Sequence, residues 1–377
     1  MKILPHTAAF LAVAFLGAIA PSLSAQGSAI LTPGIGFDSP SSAGLGLLPT
    51  TPLSSTPADA RCFLFDAPLE NFSKNAYAAT VSALFDSFAS KTSASIAPGT
   101  KAKVGIKIYT ASGPGAATPK NLVRAVIAEF EKRGFARQNI LIVDLHEKRI
   151  RESGYLPRLR TEGENFEGCP VIALDSERYY SRQWYYENPL PSREVFARQG
   201  DYNLNIELLS KQSFLPVPLF NGVDFWINLP VALDSPALGV SGALGNATIW
   251  NISNQRRFLD NPSNAQKAAV EIAAIPEIQR TLMFHLVSLE RYQYVGGPMF
   301  DSNYCLSEQR LWLSANPLIL DFLLYKRMNA ARAKRGLPLI EPEPVMFIQG
   351  NTPPILLGSC RPSELELVQP QPHPLKK

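Results

Sequence analysis

"KAKVGIKIYTASGPGAATPKNLVRAVIAEFEKRGF" (101–135), followed by "NILIVD" (139–144), decides the fold. Val104 to Tyr109 is an apolar run of strand length. Thr118 is read as a helix N-cap with Pro119 in the first turn, and Leu122, Val126, Ile127 and Phe130 form one apolar face that Gly134 ends. "NILIVD" is a second buried strand, ending in Asp144. Two strands joined through one helix make a βαβ unit, expected to be parallel and right-handed.

The same alternation continues outward from this unit. Tyr77, Val81, Leu84, Phe85 and Phe88 recur at helical spacing within 72–89. Further strands are expected at Val171–Leu174, Val223–Leu229 and Thr281–Leu289. Ser263 is placed as the cap of a helix running to Ala274, and Asn316-Pro317 opens a long helix over 318–335. The expected fold is α/β, a mostly parallel sheet flanked by helices, with an irregular insertion or small subdomain at about 177–219.

Both ends of the chain read differently. Lys2, the unbroken apolar run Ala8–Ala20 and the small residues Leu23-Ser24-Ala25 make residues 1–25 an expected secretory signal peptide, leaving a secreted or periplasmic protein. Residues 26–60 are rich in Ser, Pro and Gly without a helical or strand period, and 368–377 form a Pro-rich tail. A single domain is expected over 61–367. The formal charge of +4 and the lack of a Lys/Arg block argue against nucleic acid as a partner. No later run has the length of a membrane span. Cys62, Cys169, Cys305 and Cys360 are widely spaced, which excludes a zinc ribbon and leaves one or two disulfides or buried thiols. At least one oxidised pair is expected in an exported chain.

"DFWINLPVALDSPALGVSGALGNATIW" (224–250) and "YVGGP" (294–298) with "LWLSANPLILDFLL" (311–324) follow the βαβ unit in a characteristic order. In order and spacing this resembles the domain of unknown function 362 family over roughly 103–335. Asn228-Leu229-Pro230, the glycine loop with Asn246, and Asp321 match positions of that pattern; Lys107 survives from a Lys-Pro-Asn strand end. Where the family carries basic residues after Asn-Leu-Pro, this chain has "VALDSP", and Gly245 stands for a lysine. Ser288 and Asn316 replace family aspartates. Glycines, prolines and apolar residues are kept while ionisable ones are lost. The resemblance therefore implies the frame more firmly than any activity.

Loops at the carboxyl ends of parallel strands are where open α/β sheets bind ligands. Lys107, Asn228, Ser241, Asn246, Gly297 and Asp321 are the expected ligand-binding residues, with Gly242 and Gly297 allowing close backbone approach. The 110–118 loop lacks both the P-loop and the dinucleotide pattern, and Pro114 lacks a donor, so a plain connector is the favoured reading of it and ligand contact the alternative. Asp234 and the turn asparagines serve either a crevice or their own backbone. "DLHEKR" (144–149) puts Asp144, His146 and Glu147 just after a strand, where acid–base groups sit, although a solvated helix start explains them equally. His285, inside an apolar run, reads as a core residue. "RYYSRQWYYEN" (178–188) either binds a sugar or anion or pins an irregular segment to the core. No motif implies a metal or specifies a cofactor. The expectation is a small polar or anionic ligand bound in a crevice at the carboxyl ends of the strands, with catalysis left open; the alternative is an extracytoplasmic enzyme acting on a small anionic or carbohydrate substrate.

Overall fold

The structure, a computed structural model, describes residues 58–159, 163–176, 178–189, 210–259 and 264–372. The expected signal peptide, most of the lead-in and Ser263 lie outside the described residues.

Among the described residues fifteen strands run in chain order. They are β1 (Phe63–Pro68), β2 (Val104–Lys107), β3 (Ile140–Asp144), β4 (Asn165–Phe166), β5 (Cys169–Ala173), β6 (Tyr180–Glu187), β7 (Gln212–Pro216) and β8 (Phe225–Asn228), then β9 (Leu233–Ser235), β10 (Gly239–Ser241), β11 (Leu282–Ser288), β12 (Tyr292–Gln293), β13 (Cys305–Leu306), β14 (Arg310–Ser314) and β15 (Glu366–Val368). Nine of them form one sheet in the order β15-β1-β14-β11-β8-β2-β3-β5-β4. The run β11-β8-β2-β3-β5 is parallel throughout. Antiparallel pairings of β14 with both β1 and β11, and of β4 with β5, make the sheet mixed. The fold is thus α/β with a mostly parallel sheet.

Alternation along each strand sorts the two faces. Val104 and Ile106 of β2, Ile140 and Ile142 of β3, and Phe225 and Ile227 of β8 pack against helices α1 (Lys74–Thr92) and α2 (Lys120–Lys132). Val143, Trp226, Val287 and Trp312 face the other way, into a core shared with the helices Ala243–Ala247, Ala265–Ala273 and Pro317–Lys334. The sheet is covered on both sides, as parallel strands require. A four-stranded sheet, β10-β9-β12-β13, and the β6-β7 hairpin complete the described strands. That hairpin occupies the stretch read as irregular; residues 190–209 of it lie outside the described residues.

Three expectations need correction. Helix α2 begins at Lys120, with Pro119 rather than Thr118 at the N-cap. The Thr118 hydroxyl instead accepts from the Tyr109 N–H (2.8 Å) and donates to the Leu229 carbonyl (2.7 Å), tying together the ends of β2 and β8. Strands β1 and β14 were not anticipated, because short apolar runs carry little period of their own. All four cysteines are free, against the expected oxidised pair. Cys62 precedes β1 while Cys169 lies in β5, six inter-strand steps away, on the order of 29 Å at the usual strand spacing. Cys305 lies in the small sheet and Cys360 in the C-terminal segment.

Candidate functional site

Register puts two of the expected site residues, Lys107 and Asn228, in one row with His285. Lys107 pairs with Asn228 across β2 and β8, and Asn228 pairs with His285 across β8 and β11. Cross-strand partners share a face, so the three side chains stand side by side. Asn246, from the helix Ala243–Ala247, lies over them. Lys107, Asn228, Asn246 and His285 are each no more than 1% exposed.

Hydrogen bonding within this row is close to saturated. The three donors of Lys107 Nζ go to the Ile108 carbonyl (2.6 Å), Asp144 Oδ1 (2.7 Å) and Asn246 Oδ1 (2.9 Å). Thr110 Oγ1 donates to Asp144 Oδ2 (2.6 Å). Asn246 Nδ2 donates to Asn228 Oδ1 (2.7 Å), and Asn228 Nδ2 donates to the Ala243 carbonyl (2.8 Å). That carbonyl can only accept, which fixes the Asn228 amide. Its second amide proton then points at His285 Nδ1, 2.8 Å away. His285 Nδ1 is therefore an acceptor and its proton sits on Nε2. Burial lowers the Lys107 pKa, with Asp144 acting against the shift. His285 is pushed down to about 3, chiefly by burial and further by the charge of Arg61.

The other expected site residues stand apart from this row. Ser241 Oγ accepts from Trp250 Nε1 (3.0 Å). Asp321 accepts from the N–H groups of Ala243 (2.5 Å) and Leu244 (3.0 Å), and burial raises it to about 7. Gly297 donates to Asp234 Oδ1 (2.8 Å), and a Cβ at Gly297 would lie 2.1 Å from the Asp234 carbonyl oxygen. A Cβ at Gly242 would come within 2.3 Å of Asp321 Oδ1. Both glycines thus permit close approach of this chain's own groups. In the 110–118 loop Gly115 lies under the Phe300 ring, 2.2 Å from where its Cβ would be, and its carbonyl accepts from Arg291. The loop is packed as a connector.

Open space lies one step further along the same sheet edge. Asp144 of β3 pairs with Ala173 of β5. Two residues on, His146 faces Asp175, with the Asp175 N–H on the Leu145 carbonyl (2.9 Å) extending the ladder. These two residues open a cleft of about 740 Å³, also lined by Tyr180, Arg182, Phe214, Gln255 and Arg256. His146 Nδ1 is 3.8 Å from Asp175 Oδ2, both side chains being about one-third exposed. The Gln255 amide lies 3.2 Å from His146 Nε2, so Nε2 accepts and Nδ1–H faces the carboxylate. Asp175 Oδ2 also accepts from the Glu147 N–H (3.1 Å).

The hairpin supplies the opposite wall. Tyr180 pairs with Pro216 and Tyr185 with Phe214, so the register between them is interrupted. The excess residues bulge, and Ser181 and Arg182 of this bulge line the cleft. The rest of the aromatic stretch anchors the hairpin: Trp184 packs on Phe220 (5.3 Å between centroids), and the Tyr186 hydroxyl donates to Glu271. Tyr180 does both, lining the cleft and donating to the Asn251 carbonyl (2.9 Å). Asp175, Gln255 and Arg256 were not singled out from sequence. The available signal for Asp175 was a carboxylate just past a second apolar strand, as Asp144 closes the first.

Among the described residues no three His, Cys, Asp or Glu side chains are grouped to hold a metal, and no helix is long and apolar enough to cross a membrane. No family model matches the chain, and no curated protein matches it. Among solved structures, the lactate racemase apoprotein from Thermoanaerobacterium thermosaccharolyticum aligns over 67% of this chain and 54% of its own, at 11% identity and a TM-score of 0.31. A Thermotoga maritima protein from a structural genomics consortium aligns over 70% and 59%, at 12% identity and a TM-score of 0.35. The chain spans little more than half the length of either, and these likenesses do not bear on its activity.

Proposed function

We propose that this protein binds a small organic anion in the cleft beyond β3 and β5, without turning it over. One observation carries the reading: about 740 Å³ of open space at the carboxyl ends of two adjacent parallel strands, lined by two guanidinium groups, Arg182 and Arg256, and one carboxylate, Asp175. That volume is typical of small-molecule sites, and the carboxyl edge is where such folds bind. Planar guanidinium groups favour carboxylate or phosphate. Tyr180 and Phe214 line the same cleft with aromatic carbon. Binding without chemistry is supported by His146, whose ring nitrogens are turned to Gln255 and Asp175.

The enzymatic alternative rests on the same pair. A ligand that displaced Gln255 would free His146 Nε2 as a base, with Asp175 behind it as the orienting carboxylate. Export and membership of the domain of unknown function 362 family belong to the proposal too. They are supported by the 1–25 pattern and by the ordered match over 103–335.

Calorimetric titration of the mature protein with a panel of carboxylates and sugar phosphates tests the reading. At least one should bind with an affinity that falls with salt and drops roughly tenfold in Arg182→Ala. Binding unaffected by Arg182→Ala combined with Arg256→Ala, or no binding across the panel, would refute it. Conversion of the bound compound into a product would decide for the enzyme.

A further inference from the structure

A second, much smaller cavity lies at the other end of the buried row. It is about 20 Å³, and its lining is mostly apolar, including Leu244, Ala247, Ile278 and Leu282. Three side chains break that pattern: His285, Arg61 and Gln279. His285 Nδ1 is held by Asn228, so the opposite ring edge carries Nε2–H, and among the described residues Nε2 has no hydrogen-bond partner. At 1% exposure, water outside the protein cannot serve it. A buried donor left unmet is costly, which requires an acceptor in the cavity.

Arg61 says what kind of acceptor. Its Nη1 donates to the Leu356 carbonyl (2.7 Å), and no carboxylate stands against it among the described residues. Burial lowers its pKa, with no carboxylate countering the shift. Ala315 and Pro317 bring the start of the 18-residue helix Pro317–Lys334 to the same wall. Asn316 Oδ1 already takes the Leu318 and Ile319 N–H groups, so this helix contributes its field rather than a free donor. A neutral N–H donor, a cation with no carboxylate partner among the described residues and a positive helix end line about 20 Å³ of space, beside the Gln279 amide. A water molecule would satisfy the histidine but would not give Arg61, which is only half-buried, a counter-ion.

We propose that this cavity is a site for one halide-sized monovalent anion, held between His285 Nε2–H and the Arg61 guanidinium. It is separate from the cleft beyond β3 and β5 and does not depend on the reading given for it. Chloride is the available ion of that size and charge in any extracytoplasmic or buffered setting. Its role here is structural: it completes the hydrogen bonding of a row that reaches Lys107 and Asp144.

Crystals of the wild-type protein grown in bromide test this directly. An anomalous bromide peak between the His285 ring and Arg61, absent from Arg61→Gln crystals, is expected. Density for water alone in the cavity, with bromide present elsewhere, would overturn the proposal. In solution, replacing gluconate by chloride at constant ionic strength should raise the wild-type melting temperature by roughly 2–4 °C. Arg61→Gln should lose that increment. An equal increment in the variant would also overturn the assignment.

Discussion

The Lys107–Asp144 row and the His146–Asp175 cleft lie side by side on one sheet edge, each pairing a cation or histidine with a carboxylate. They differ in spare hydrogen-bonding capacity. Lys107 has three donors and three acceptors for them, all inside the protein. His146 and Asp175 are about one-third exposed, beside open volume and two arginines. Polar residues at the carboxyl ends of parallel strands are thus not all ligand groups. Those on the central strands, covered by the helix Ala243–Ala247, are consumed in holding the layers in register; those beyond β3 and β5 keep something to offer.

Breaking the closed row should have the largest effect. In Lys107→Met the Asp144 carboxylate remains buried and, among the described residues, keeps the Thr110 hydroxyl alone as a side-chain donor, a loss expected to cost about 3–5 kcal/mol. Urea unfolding of the single variant measures it. Adding Asp144→Leu should recover most of the loss, since a buried pair replaced by apolar groups is often close to neutral. If the single variant is as stable as wild type, the row is not closed as described.

The pH dependence of stability separates two members of the interior. Asp321 has a folded pKa raised to about 7, so the folded state holds its proton where the unfolded state has lost it. Its contribution is full below the unfolded value of 3.8 and is lost as pH rises towards 7. His285 has the opposite sign: its folded pKa is lowered to about 3 from 6.5. Its contribution is full above 6.5 and is lost as pH falls towards 3. Each slope is about 1.4 kcal/mol per pH unit, and across roughly pH 4–6.5 the two cancel. Wild type should therefore show little net slope from this pair. Asp321→Asn should gain stability with rising pH in that window, and His285→Gln should lose it. Parallel curves for the three proteins would contradict the assignment.

Much of the frame was legible because it is local. The runs at 104–109 and 139–144, the apolar face of α2 and the Asn316 cap each depend on neighbours in sequence. Even the row was partly visible, since Lys107 and Asn228 are polar residues near the ends of apolar runs. What escaped depends on strand order. Asp175 meets His146 only because β5 lies beside β3, and Gln255 arrives from a turn more than a hundred positions away. His285 read as an ordinary core residue for the same reason: its Nδ1 partner is on a neighbouring strand, and nothing local signals the unmet Nε2. Thr118 carried the right side chain for a helix cap, yet a carbonyl across the sheet took its hydroxyl.

Gly297 sharpens the contrast at intermediate size. It was expected to let a ligand approach, but the group that approaches is the Asp234 backbone, 2.1 Å from a would-be Cβ. Because backbone cannot swing aside as a side-chain tip can, Gly297→Ala should cost about 1–3 kcal/mol. Ligand affinity in the cleft should stay unchanged. Calorimetry on the variant below its melting point checks both; a stable variant with weakened binding would return Gly297 to the ligand site.

The smallest effect on stability belongs to the cleft itself. Arg182 sits in the bulge of β6, exposed to solvent, where the register with β7 is interrupted. A bulged strand has already given up ladder bonds there, and an exposed side chain contributes little to the core. Arg182→Ala should leave unfolding free energy within about 0.5 kcal/mol of wild type. If Arg182 holds an anion, the same variant should bind the titrated carboxylate or phosphate roughly tenfold more weakly, about 1.4 kcal/mol. High salt should shrink the difference between the two proteins, because a half-open cleft is screened where the buried row is not. A variant that unfolds early would mean that Arg182 braces the hairpin, and the weakened binding could not then be assigned to a lost contact.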